Sequence, residues 1–106
     1  MIIVTTGNDV AGRSIAAYLG IVRGIIVRSP TIGQGIMGGL KTIVGGNNKT
    51  YAGICETARQ EAYDLMLERA QSLGANAVIC MRYDATEFAD GVTEVLAYGT
   101  AVQLSR

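Results

Sequence analysis

The sequence has no histidine and no tryptophan, and it has one proline, one phenylalanine and two cysteines. Each scarcity removes a class of chemistry. Without histidine, no serine–histidine or cysteine–histidine nucleophile can form within the chain. With two cysteines and no C-x-x-C spacing, no pair of thiolate ligands is held together locally. Nine basic and nine acidic residues cancel to a net charge of zero, and no basic block is present. A nucleic-acid partner is therefore not expected, because neutralising phosphates requires a positive stripe. No apolar run reaches the roughly 18 residues of a membrane span. The start, Met1-Ile2-Ile3-Val4-Thr5-Thr6, has no positive segment ahead of an apolar one, so no secretory signal is read and a cytoplasmic protein with free thiols is expected.

Charged residues are 17% of the chain, against roughly 25% in typical globular sequences. The apolar set is 49%. A chain of 106 residues is read as one domain, residues 1–106. Small domains have more surface per residue, so the surplus of apolar side chains needs a place to go. Burial against copies of the same chain is that place. Seven arginines against two lysines point the same way, since arginine is the basic residue favoured at interfaces.

Residues 2–6 are apolar or β-branched and read as a first strand, broken by Gly7-Asn8-Asp9. A second strand spans residues 15–28 and is closed by Ser29-Pro30. In residues 31–44, Ile32, Ile36, Leu40 and Ile43 share a helical face, yet four glycines there weaken any helix by about 1 kcal/mol each. Residues 45–48 form a loop. A long helix follows, with Thr50 as its N-cap and Gly74 just past its end. Its apolar stripe is Tyr51, Cys55, Ala58, Ala62, Met66, Ala70 and Leu73. Residues 75–83 form a third strand, apolar on both faces at its start and so central in a sheet. Residues 84–91 read as a polar connection. The fourth strand, residues 92–104, has a large-residue face (Val92, Leu96, Tyr98, Val102, Leu104) and a small-residue face (Val95, Ala97, Gly99, Ala101). Small side chains let another layer pack close, either the helix or a second subunit. The expected fold is α+β: a small mixed or antiparallel sheet of about four strands with one long helix across it.

Several segments together resemble the YbjQ-like family. They are Thr5-Thr6, Leu19-Gly20-Ile21-Val22-Arg23-Gly24, Gly45-Gly46 ahead of a tyrosine, the helix run Ala58-Arg59 … Ala62 … Met66 … Ala70, the turn Leu73-Gly74-Ala75-Asn76-Ala77-Val78-Ile79, and Ala97-Tyr98-Gly99-Thr100-Ala101-Val102. The matches run in order over nearly the whole chain. The resemblance implies a dodecin-subunit-like fold, a homopentameric ring (single or stacked) and the family's heavy-metal-binding label. One departure is Cys80, where the family more often has a small residue such as glycine.

Four constellations could carry chemistry. Gly33-Gln34-Gly35-Ile36-Met37-Gly38 matches G-x-G-x-x-G, but it lacks the βαβ setting and the acidic residue at a following strand end that a dinucleotide needs, so it is read as close packing. The sulfur ligands Cys55, Cys80, Met37, Met66 and Met81 could take a soft heavy metal, with Cys55 and Cys80 as the candidate thiolates. From Gly74, Cys55 lies about 28 Å along a helix and Cys80 about 20 Å along a strand. An offset of about 8 Å makes a site within one copy unfavourable, and the alternative is that both thiols are buried small hydrophobes. Asp84, Glu87, Asp90 and Glu94 flank the last hairpin and read as a solvated loop. Arg23, Arg82, Tyr83, Tyr98 and Thr100 stand among apolar neighbours, where they could meet a small anion or satisfy one another. The resulting expectation is a non-enzymatic, self-associating binding module, with a soft heavy metal as candidate ligand. A scaffold ring with a protein partner and an enzyme with an inter-subunit site are the alternatives.

Overall fold

A computed structural model describes residues 1–28, 49–89 and 91–105, with residues 49–54 as backbone only. The G-x-G-x-x-G segment, the 45–48 loop, Asp90 and the side chain of Tyr51 lie outside the described residues. Strand β1 is Ile3–Val4 and β2 is Ile15–Arg28. Helix α1 is Lys49–Ser72. Strand β3 is Ala77–Ala89 and β4 is Val92–Leu104. The four strands form one mixed sheet in the order β1-β3-β4-β2. β1 lies parallel to β3, and β4 lies antiparallel to both neighbours. The expected α+β sheet with one helix across it is what the chain forms.

The two faces of β4 separate two cores. On the helix side, Val95, Ala97 and Ala101 pack with Val22, Val78, Met81 and the helix residues Ala58, Ala62, Met66 and Ala70. The small-residue face thus meets the helix. The four helix residues at spacings of four, four and four are buried, as the apolar stripe requires. Its ends fall outside the core: Cys55 is exposed, and so is Leu73. The helix already includes Lys49 and Thr50, so Thr50 lies inside the first turn and is not its cap. On the other side, Ala77, Ile79, Val102 and Leu104 form a smaller core closed by Ile3, Val10 and Ile15.

The helix approaches β2 closely because position 24 has no side chain. A Cβ at Gly24 would lie 2.0 Å from the Ala62 carbonyl oxygen and 2.7 Å from the Met66 nitrogen. At its C-terminus the helix stops at Gly74, with φ at 83°. The Ala75 amide donates to the Ala70 carbonyl at 3.1 Å and the Gly74 amide to the Gln71 carbonyl at 3.0 Å. These two bonds satisfy carbonyls the helix leaves open, and the left-handed residue between them is a glycine. Asn76 then stands in for a strand. Its Nδ2 donates to the Leu104 carbonyl at 3.3 Å, and its Oδ1 accepts from the Leu104 amide at 2.7 Å.

β3 runs further than its sequence suggests. Residues 84–89, read above as a polar connection, continue the strand and pair with β4 as far as Ala89↔Val92. Tyr83, Thr86 and Phe88 are good strand formers, and polar residues on a strand exposed on both faces carry no apolar alternation to reveal it. β3 is central only at its start, because β1 pairs with Ala77 and Val78 alone.

Candidate functional site

The candidate thiols come to different sides of the sheet. Cys55 is on the helix layer and exposed. The expectation that it is a buried hydrophobe is therefore wrong: the stripe it belongs to has run past the sheet. Cys80 is half-buried against the core on the face away from the helix. Its Sγ lies 3.4 Å from Asn8 Oδ1, and its amide donates to the Gly7 carbonyl at 2.9 Å. The sheet therefore stands between the two thiols within one copy. Among the described residues, no group of three or more cysteine, aspartate or glutamate side chains gathers where it could hold a metal.

Cys80 also has an unusual backbone. Its φ is 56°, the one positive value among the described non-glycine residues. It falls where the β3–β4 register slips between Ile79↔Thr100 and Arg82↔Tyr98, so two residues of β3 oppose Gly99. This is a β-bulge whose first residue is left-handed, a position that suits glycine. A Cβ at Gly99 would lie 2.6 Å from Val78 Cγ1 and 3.0 Å from the Ile79 carbonyl, so the bulge and the glycine opposite it fit each other. The bulge keeps Val78 and Met81 both on the helix side, although an unbroken strand would place them on opposite faces.

The register assigns the polar strand residues to faces. Tyr98 pairs with Arg23 on one side and Arg82 on the other, so these three share a row on the face away from the helix. The Arg82 Nη1 donates to the Thr6 and Met81 carbonyls, both at 2.8 Å. Thr100 pairs with Ile21 and Ile79 on the same face. Tyr83 pairs with Ala97 on the helix face, where the Arg59 guanidinium carbon is 5.5 Å from its ring centroid. Partial burial raises the Tyr83 phenol above its ordinary value of 10.0, and Tyr63, Glu56 and Asp64 add to the shift while Arg59 opposes it. None of the described polar or charged residues is fully buried.

The acidic set does not converge. Asp84 and Glu94 share the face away from the helix with Leu96 and Thr86, while Glu87 pairs with Thr93 on the helix face. The Glu87 Oε2 accepts from the Gly91 amide at 2.8 Å and so braces the hairpin turn. Of the polar strand residues singled out in the sequence, Arg23, Tyr98, Arg82 and Thr100 share one face, whereas Tyr83 is on the other, and its contact with Arg59 was missed. Only the register of three strands defines these placements, and the bulge at Cys80 hides that register from a reading of alternation.

No helix among the described residues is long and apolar enough to cross a membrane. The architecture is that of small α+β domains in which one helix covers one face of a four-strand sheet. A family model described as "Putative heavy-metal-binding" matches residues 1–105. The chain belongs to this YbjQ-type family, also called UPF0145. A UPF0145 protein of Legionella pneumophila strain Lens is 61% identical over 101 residues, which are 95% of this chain and 96% of that protein. One from Paraburkholderia phymatum is 58% identical over 103 residues, covering 97% and 93%. Among solved structures, a DUF74-family protein of unknown function from Pediococcus pentosaceus superposes with a TM-score of 0.65 over 98% of each chain, at 16% identity. That likeness supports the fold alone.

Proposed function

We propose that the chain is a non-enzymatic binding module of the cytoplasm that works as a homo-oligomer, a pentameric ring, and takes a soft heavy-metal ion through thiolates contributed by more than one copy. The observation that carries this reading is the separation of Cys55 and Cys80 by the sheet, taken with the description of the family. One copy offers two isolated thiolates, whereas a closed soft-metal site takes about four ligands. Neighbouring copies are the available source of the others. Cys55 is exposed and so free to meet a partner's ligand. No nucleic-acid partner is proposed, in keeping with the zero net charge.

Titration with Cu(I), Zn(II) and Cd(II) under reducing conditions, read by native mass spectrometry, tests the reading. The expected result is metal bound to the wild-type oligomer and lost from the Cys55→Ala/Cys80→Gly variant. Equal binding by both proteins rules out the thiolate site.

A further inference from the structure

The polar row on the uncovered face of the sheet is left unused by the thiolate reading. Arg23, Tyr98 and Arg82 stand side by side on β2, β4 and β3. Both arginines are exposed and the tyrosine is half-buried between them. Their donors are open. Among the described residues, the Arg23 guanidinium and the Tyr98 hydroxyl have no hydrogen-bond partner, and the only ion pair is Arg28–Glu61, elsewhere in the fold. Arg82 is fixed through one nitrogen, Nη1, which donates to the Thr6 and Met81 carbonyls. Its Nε and Nη2 make no bond among the described residues. Two carboxylates share this face, and neither neutralises the row. Asp84 lies one row along, on the exposed arm of β3 (residues 82–89), and its Oδ1 accepts from the Ala85 amide at 2.9 Å. Glu94 lies two rows along, on β4.

We propose that this row binds a small organic phosphate, a phosphate monoester with an apolar body. Arg23, Arg82 and Tyr98 hold the phosphate oxygens. The proposal uses neither cysteine and stands independently of the thiolate reading. Three observations choose the ligand. The first is charge: two guanidiniums without a carboxylate match a phosphate monoester, which carries about −1.5 to −2 at neutral pH, whereas a single carboxylate would leave one arginine uncompensated. The second is geometry. One strand separates the two arginines, so their Cα atoms lie about 10 Å apart. Arg82 is the anchored side, and Arg23 is free to close on a ligand over Tyr98. Guanidinium forks suit phosphate oxygens, and the phenol between them supplies a neutral donor. The third is the rim. Ile21, 74% exposed, lies one row to one side of Arg23, and Ile25, 38% exposed, one row to the other. Each is about 7 Å along the strand, so an apolar body attached to the phosphate finds an apolar side chain to cover. Inorganic phosphate leaves that surface unused.

Calorimetric titration with phenyl phosphate, inorganic phosphate, benzoate and phenol tests the site, with amide chemical shifts locating the contact. Phenyl phosphate is expected to bind saturably and more tightly than the other three, to shift the amides of Arg23, Tyr98 and Arg82, and to weaken as salt is added. Arg23→Gln should weaken it about tenfold, the loss of one charge-assisted hydrogen-bond donor group. Arg23→Lys should fall between Arg23→Gln and wild type, because it keeps the charge and loses the fork. The Arg23 side chain is exposed and has no partner among the described residues, so these variants keep the fold, which matched circular dichroism spectra check. Absence of saturable phenyl phosphate binding overturns the site. So does binding that Arg23→Gln leaves undiminished, or shifts confined to residues away from the row. Benzoate or inorganic phosphate bound as tightly as phenyl phosphate overturns the choice of ligand.

Discussion

β4 is flanked by two eight-residue stretches at the same level of the sheet, residues 21–28 of β2 and residues 82–89 of β3. They meet opposite fates. In β2 alternate positions go under the helix: Val22 and Gly24 are buried, and Ile26 and Arg28 half-buried. In the β3 arm every residue is exposed. The reason is visible in one row across the helix face, Gly24–Ala97–Tyr83. Side-chain size rises along it from nothing to a phenol ring. The helix settles over the low end, touching the β2 backbone, and the ring of Tyr83 stands at its margin beside Arg59. A gradient of side-chain volume, more than the amount of apolar surface, decides which outer strand is covered.

Filling the low end of that row should break the difference outright. A Cβ at Gly24 collides with the backbone of Ala62 and Met66, which cannot swing aside as a side chain tip can. Gly24→Ala is expected to cost roughly 3 kcal/mol or more, the upper end of overpacking effects. Thr86→Ala, at an exposed site of the arm, should stay within about 0.5 kcal/mol. Urea unfolding of both variants at one protein concentration measures the contrast. Similar losses would show that the arm is packed as firmly as β2.

The boundary between the covered and uncovered halves of β3 is the bulge at Cys80, and the second prediction sharpens it. A left-handed conformation costs an L-residue roughly 1–2 kcal/mol, which glycine does not pay. Against this, glycine gives up the contact of the thiol with Asn8 and a half-buried side chain. Cys80→Gly should therefore be stabilising by up to about 1 kcal/mol, while Cys80→Val should be destabilised, since a branched Cβ is least suited to positive φ. Thermal melts compare the three proteins. A loss of stability in Cys80→Gly would mean that the thiol contact outweighs the backbone. The left-handed first residue of the bulge is why a glycine would suit this position.

Much of this architecture was legible before any coordinates. The bounds of β2 and β4 followed from β-branched runs closed by Ser29-Pro30 and opened after Gly91. The helix stripe and the Gly74 stop followed from period and left-handed geometry. What was not legible has a common cause. The arm has no buried face, so its sequence carries no alternation. Cys80 reads as an ordinary strand residue, because nothing in a one-letter string marks positive φ. The placement of the two thiols on opposite sides of the sheet depends on which layer each element joins. Spacing along the chain gave only an offset of about 8 Å.

The gentlest test concerns Tyr83, which marks the edge of the helix's cover. Burial is the main reason its phenol holds its proton beyond the ordinary value of 10.0, and nearby Tyr63, Glu56 and Asp64 disfavour the phenolate further. The folded state thus binds this proton more tightly than the unfolded chain. The resulting stability is fully present below pH 10.0 and is lost as pH rises through the higher folded value. Phenolate absorbance should show a late step above pH 10.0 that Tyr83→Phe removes. Arg59→Gln should delay that step further, since the guanidinium is the one neighbour that favours the phenolate. An Arg59→Gln variant whose late step moves down instead would mean that the helix does not reach Tyr83, and the size gradient across Gly24, Ala97 and Tyr83 would lose its upper end.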